Sequence, residues 1–139
     1  MEKNIFIAIF ALIFSACTFN EYEKTDSDYY SEYITISERQ WETVYYEGNL
    51  LYYYCEFDFP LTPDIINYKP IDVYYETPDE GYLTPLPYST FIIDRSYKYE
   101  EHLTVEYEPG RITFILKYDD QLDVPPRYDY YRFLVKFPI

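Results

Sequence analysis

A two-residue alternation of apolar and polar side chains constrains the fold of this chain more than any other feature of its sequence. It is clearest in residues 51–59, LYYYCEFDF, where every odd-numbered position is apolar or aromatic and the even-numbered positions include Glu56 and Asp58. Successive side chains of a β-strand point to opposite faces of the sheet. The pattern therefore predicts a strand with one buried face, including Cys55, and one face in contact with water.

The same period recurs along most of the chain, in segments 33–46, 71–76, 88–93, 103–107, 111–118 and 130–137. Turn-forming residues separate these segments: Gly48-Asn49 fits a two-residue hairpin loop, and Pro109-Gly110 fits a type II turn. The 21 tyrosines and 10 phenylalanines also favour pleated sheets. The sequence predicts an all-β, antiparallel, immunoglobulin-like sandwich of about seven strands, with Trp41 in its core and a jelly roll as the alternative.

One short helical turn interrupts the strands. In residues 61–67, LTPDIIN, Thr62 stands where an N-cap residue is favoured and Pro63 stands at the first helical position. The segment follows Pro60, which ends the preceding strand because proline cannot donate to the ladder. We expect a connection between two strands here and no larger helical layer.

The first sixteen residues, MEKNIFIAIFALIFSA, differ from everything that follows. No charged side chain lies between Ile5 and Phe14, and a helix of about ten residues rises only about 15 Å, half the thickness of a bilayer core. Such a segment is typical of a cleaved signal peptide. Ser15-Ala16-Cys17 resembles the end of the bacterial lipobox, which implies cleavage after Ala16, lipid on the Cys17 thiol and acylation of the new amine.

The leader divides the chain into three predicted parts: a signal peptide at 1–16, a lipid anchor and acidic tether at 17–32, and a single domain at 33–139. Thr18 stands where enterobacterial lipoproteins retained in the inner membrane carry Asp, so we expect outer-membrane sorting. The acidic residues 20–23, NEYE, resemble the export signals of Bacteroidota surface lipoproteins. The sequence leaves open whether the domain faces the periplasm or the cell exterior.

A second resemblance covers about a third of the mature chain. Residues 57–60 (FDFP), 61–66 (LTPDII), 71–75 (IDVYY) and 86–87 (LP) resemble a group of small Bacteroidota lipoproteins of unknown function. These motifs are structural rather than catalytic. The resemblance implies a β-sandwich fold and an envelope location, and it implies no activity.

Charge and residue content exclude several function classes. A formal net charge of −14 repels phosphates, so no nucleic-acid partner is predicted. The sequence has one histidine, His102, and no Gly-x-Ser-x-Gly motif, so no serine nucleophile is indicated. Its three glycines are isolated from one another and do not form a phosphate-binding loop. We predict no catalytic residue, no metal and no cofactor. Asp119, Asp120 and Asp123 offer oxygen ligands for calcium, but a solvated turn is the favoured interpretation.

The remaining candidates are tyrosines on strand faces predicted to point outward: Tyr52, Tyr54, Tyr74 and Tyr130. Exposed aromatic rings can stack on sugars or anchor a protein partner. The sequence therefore predicts a non-catalytic binding or adhesion module that uses a Tyr-rich face for glycan or protein. Two alternatives remain: a structural or accessory subunit of a larger envelope assembly, and tyrosines that only cover the surface of the sheet.

Overall fold

The computed structural model describes residues 18–22, 28–94, 97–119 and 122–139. Two antiparallel sheets pack face to face, which confirms the predicted all-β sandwich. Sheet 1 has the order β2 (Tyr29–Ser37), β10 (Tyr130–Pro138), β5 (Asp72–Glu76) and β6 (Leu83–Pro85), extended beside β2 by β1 (Thr18–Tyr22). Sheet 2 has the order β3 (Glu42–Tyr46), β4 (Asn49–Asp58), β9 (Arg111–Tyr118), β8 (Tyr97–Glu108) and β7 (Tyr88–Asp94). The described residues thus form ten strands rather than about seven.

Most neighbouring strands are also consecutive in sequence. The pairs β3–β4 and β5–β6 and the three strands β7–β8–β9 are linked by short connections. There are two exceptions: β9 pairs with β4, and β10 lies between β2 and β5. In that position Phe133 pairs with Ile34 on one side and with Tyr75 on the other.

The core lies between the two sheets and is largely aromatic. Phe114 of β9 stacks on Phe133 of β10, with ring centroids 4.3 Å apart. Trp41 is buried, as predicted, and its ring meets the Tyr131 ring edge-on at 5.7 Å. Cys55 is also buried in this core, in agreement with the sequence. Contacts between rings of opposite sheets hold the sandwich together.

The loop between β3 and β4 differs from the prediction by one residue. Its two central residues are Glu47 and Gly48, with φ of 51° and 81°, and Asn49 already begins β4. Two positive φ values are the mark of a type I′ hairpin turn. A bulge follows at once, where the register shifts, so that Leu50 and not Leu51 is buried. The prediction that Leu51 faces inward is therefore wrong.

Two other local predictions are confirmed. Helix α1 spans Pro63–Tyr68, and the Thr62 hydroxyl accepts a hydrogen bond from the backbone N–H of Ile65 at 3.2 Å. Gly110 has a φ of 77° in the loop between β8 and β9, as the third residue of a type II turn requires.

The predicted boundary at residue 33 is wrong. Strand β2 begins at Tyr29, and Tyr30, Ser31 and Glu32 are buried. Residues 18–22 and 29–32, predicted as tether, therefore belong to sheet 1. The alternation was obscured because Glu32, a charged residue, occupies an inward position two residues before Ile34.

The predicted signal peptide at residues 1–16, the predicted lipidation site Cys17 and residues 23–27 lie outside the described ranges. Within the described ranges, no helix has the length and apolar character needed to cross a membrane.

Candidate binding site

The four tyrosines predicted as one binding face occupy two opposite surfaces of the sandwich. Tyr52 and Tyr54 lie on the outer face of β4 in sheet 2, whereas Tyr74 and Tyr130 lie on the outer face of sheet 1. Tyr130 is exposed and the other three are half-buried. Because the outer faces of two stacked sheets point away from each other, the four rings do not form a single platform. This corrects the predicted Tyr-rich face.

Neighbouring residues of the chain contact or flank three of these rings. The Tyr54 hydroxyl is hydrogen-bonded to Glu42 across the β3–β4 pair, and this contact raises the pKa of Tyr54. The Tyr52 and Tyr54 rings lie 6.4 Å apart, edge to face. Tyr74 pairs with Leu134, which is buried although it lies on the outer face of sheet 1. The arrangement fits tyrosines that cover the outer surfaces of the sheets.

A cavity between the two sheets offers a different site. It has a volume of about 170 Å³ and is lined by β5, the following loop 77–80, the inner face of β7, Glu101 of β8 and residues 127–128. We call it the Glu101 cavity. Asp79 and Glu80 are exposed, so they lie at its rim, whereas Glu101 is 1% exposed.

Glu101 is held by a network of hydrogen bonds that uses only one of its two oxygens. Oε2 accepts hydrogen bonds from the hydroxyls of Tyr118 (2.9 Å) and Tyr131 (2.8 Å). The backbone N–H of Arg127 donates to both hydroxyls, at 2.9 and 3.1 Å, which directs their protons towards Glu101. Oε1 is buried and has no hydrogen-bond partner. The network thus fixes the carboxyl group and leaves Oε1 of this cavity-lining residue as an unused acceptor.

Tyr75 presents a second unused polar group. Its side chain is 2% exposed, and its hydroxyl has no hydrogen-bond partner. The Tyr75 ring lies 5.5 Å from the Tyr88 ring and 5.8 Å from the Tyr131 ring. The Tyr128 ring completes the aromatic lining, 5.6 Å from Tyr131.

Burial dominates the electrostatics of the Glu101 cavity. Loss of hydration raises the pKa of Glu101, and the hydrogen bonds from Tyr131 and Tyr118 oppose that rise. Burial, together with the nearby Glu101 carboxylate, also raises the pKa of Tyr75, Tyr118 and Tyr131. All three tyrosines therefore stay protonated at neutral pH, and Tyr118 and Tyr131 act as donors to Glu101.

No protein-family model matches this chain, and no curated protein or solved structure is significantly similar to it. What supports a function is therefore the chemistry of the described residues.

The only histidine lies beside a serine, but the geometry is not that of an activated nucleophile. Ser89 and His102 are opposite each other on β7 and β8, with Ser89 Oγ 2.8 Å from His102 Nδ1. The His102 Nε2 atom is 4.0 Å from Glu100, too far for the hydrogen bond that orients the histidine of a triad. Ser89 is exposed on the outer face of sheet 2, outside the Glu101 cavity. The arrangement matches the surface position predicted for His102.

The predicted acidic loop is only partly described, because Asp120 lies outside the described ranges. The Asp119 carboxylate accepts a hydrogen bond from the backbone N–H of Glu100 at 2.6 Å. Asp119 thus joins the loop to β8. Among the residues whose positions are described, no group of three or more acidic, histidine or cysteine side chains is arranged to hold a metal ion.

Sequence reasoning missed the central residue of the cavity, although a signal for it existed. Leu103 and Val105 were predicted to face inward, and the same period extended back two residues places Glu101 on the inner face. A carboxylate at an inward position is rarely tolerated without a structural or functional reason. Tyr75 was predicted to face inward and does so. That its hydroxyl has no partner could not be predicted, because this depends on contacts between the two sheets.

Proposed function

We propose that this protein is a lipid-anchored, non-catalytic binding module of a bacterial envelope, and that its ligand occupies the Glu101 cavity. The observation that carries the proposal is the pair of buried polar groups without partners, Glu101 Oε1 and the Tyr75 hydroxyl, in two residues that line one cavity. A buried polar group that lacks a hydrogen bond costs about 1–3 kcal/mol. A ligand that bonds to both groups removes that cost, and its binding is favoured accordingly.

A binding role fits the way in which the site is built. Glu101 is fixed by hydroxyls from both sheets, Tyr118 of sheet 2 and Tyr131 of sheet 1. Such support preorganises an acceptor, so little conformational entropy is lost when a ligand binds. The proposal moves the predicted binding of glycan or protein from the outer tyrosines to the cavity.

The proposed binding is tested by screening the purified protein against glycan and peptide arrays. We expect a ligand whose affinity falls at least about fivefold in Glu101→Gln and in Tyr75→Phe. Tyr75→Phe removes a buried hydroxyl whose hydrogen bond is worth about 1–3 kcal/mol, and Glu101→Gln removes the charge that strengthens the bond to the ligand. The matched control is Tyr52→Ala with Tyr54→Ala, which changes the outer face of sheet 2. A ligand lost in the control and retained in both cavity variants would place binding on that face instead.

The anchor is the second part of the proposal. It rests on the apolar leader, on the Ser15-Ala16-Cys17 sequence and on the resemblance to small Bacteroidota lipoproteins. We propose that lipid on Cys17 holds the protein in the outer membrane. Radiolabelled palmitate fed to expressing cells is expected to mark the wild type and not Cys17→Ser. Equal labelling of the two proteins would disprove lipidation at Cys17.

One observation favours an accessory subunit as a second candidate function. Strand β7 is an edge of sheet 2, and its outward side chains Phe91 and Ile93 are 61% and 75% exposed. An apolar edge strand is a site where another chain can add a strand. A photo-crosslinker at Phe91 should then capture one fixed envelope protein in intact cells. Recovery of the uncrosslinked monomer alone would reject this candidate.

A further inference from the structure

We propose that the Glu101 cavity binds an organic ammonium group, a primary amine carried on an alkyl stem. This inference rests on the proposed function and names the chemical class of the ligand. Three features of the cavity carry it: the balance of charge, the hydrogen-bonding capacity of the unpartnered groups and the aromatic lining.

The charges around the cavity favour a cation. Its lining includes three carboxyl groups, those of Glu101, Asp79 and Glu80, and one cationic side chain, that of Arg127. The Arg127 side chain is exposed and forms no ion pair among the described residues. Its charge opposes the rise that burial causes in the pKa of Glu101, but it does not overcome that rise. A buried carboxylate without a counter-charge is costly, and an ammonium group removes much of that cost.

The hydrogen-bonding capacity of an ammonium group matches the two unpartnered groups. An –NH₃⁺ group donates three hydrogen bonds and accepts none. Glu101 Oε1 can only accept when ionised, and the Tyr75 hydroxyl can accept through its oxygen. An ammonium group thus has enough donors for both, and its bond to the carboxylate is charge-assisted and strong.

The aromatic lining supplies a third attraction. The rings of Tyr75, Tyr88 and Tyr128 all line the cavity. A cation over the face of a tyrosine is attracted by the ring quadrupole, and the attraction is stronger when the cation is shielded from water. Within this lining, the Arg127 guanidinium already lies over the Tyr128 ring, with Cζ 4.9 Å from its centroid. That contact shows that a cation stacks against this part of the wall.

Size restricts the ligand further. A cavity of about 170 Å³ equals the liquid volume of about six water molecules at roughly 30 Å³ each. An aminoalkyl chain fits such a space, whereas only part of an oligosaccharide does. The ammonium source is either a free amine or a lysine side chain of a peptide, and the two share the same chemistry at Glu101.

The test compares a charged probe with a neutral one of nearly the same shape. The purified protein is titrated with 1,5-diaminopentane and with 1,5-pentanediol, and heat and NMR shifts of the tyrosine rings are recorded. We expect saturable binding of the diamine, at least tenfold tighter than binding of the diol. Nα-acetyl-lysine amide, titrated in parallel, shows whether a lysine side chain is accepted as well as a free amine.

Two variants tie the binding to the cavity. Glu101→Gln keeps the shape of the side chain and removes its charge, and we expect at least a tenfold loss of diamine affinity. Glu106→Gln is the matched control, because Glu106 is exposed on the outer face of the same strand, and we expect it to bind as the wild type does. The wild-type comparison of diamine with diol needs no variant, so it holds even if Glu101→Gln fails to fold.

The outcomes separate this inference from the proposed function. Equal affinity for diol and diamine, or diamine binding that Glu101→Gln leaves unchanged, overturns the ammonium inference. Binding of the diol or of N-acetylglucosamine that is lost in Glu101→Gln overturns it too, yet supports the cavity as a binding site. Absence of diamine binding overturns the inference, and the proposed function falls with it only if the glycan and peptide arrays are also silent.

Discussion

Replacing Phe133 with alanine is expected to lower the free energy of unfolding by about 3–5 kcal/mol. Phe133 is fully buried at the centre of β10, stacked on Phe114 of the opposite sheet at 4.3 Å and 5.7 Å from the Tyr75 ring. Truncation removes a contact between the two sheets and leaves a cavity that the surrounding strands cannot fill. Urea denaturation followed by circular dichroism measures the loss.

The control for this experiment is Tyr130→Ala in the same strand. Tyr130 is exposed at the beginning of β10, and surface substitutions usually change stability by no more than about 0.5 kcal/mol. A loss of less than about 1 kcal/mol in Phe133→Ala would contradict the packing between the sheets described above.

Raising the pH from 4.5 to 8 is expected to destabilise the protein, by roughly 5 kcal/mol for complete titration of Glu32 alone. Glu32 is fully buried, and burial raises its pKa from an ordinary 4.5 to about 8, although a hydrogen bond from the Tyr30 hydroxyl opposes the rise. Between these two values the folded state holds a proton that the unfolded state has released. The stabilisation is complete below pH 4.5 and is lost as the pH rises through about 8.

Urea denaturation at several pH values measures this dependence, and Glu32→Gln is the informative variant. Glutamine keeps the size of the side chain and cannot ionise, so most of the pH dependence should disappear. The pKa of Glu101 is also raised by burial, so Glu101 also destabilises the protein as the pH rises. It accounts for part of the pH dependence that remains in Glu32→Gln. Parallel curves of stability against pH for the wild type and Glu32→Gln would refute the assignment to Glu32.

The strands were predictable where one face is apolar and the other polar. In β4 the alternation from Tyr53 to Phe59 is regular, and the buried positions are those predicted. At the start of the same strand a bulge places Leu50, and not Leu51, on the inner face. The bulge adds one residue to β4, and this reverses the face to which the preceding residues of the strand point. Alternation alone does not reveal such a shift, since both residues are leucines.

The location of the site was less predictable, for two physical reasons. Alternation shows which side chains of a strand share a face, but not to which sheet the strand belongs, so Tyr54 and Tyr74 were placed on one surface. The Glu101 cavity arises where β5 of sheet 1 faces β7 and β8 of sheet 2. Whether a buried oxygen such as Glu101 Oε1 finds a partner depends on distances between these sheets, which no period within one strand encodes.

The position of β10 has a consequence for the order in which the molecule assembles. The strands β2 and β5 do not pair with each other, and each gains its long hydrogen-bonded neighbour only from residues 130–138. We expect the local meander of β7, β8 and β9 to form early, because short loops close at small entropic cost. Sheet 1 is completed only when the last of the described strands is added. If the protein is exported as proposed, we expect sheet 1 to form only after residues 130–138 have crossed the membrane.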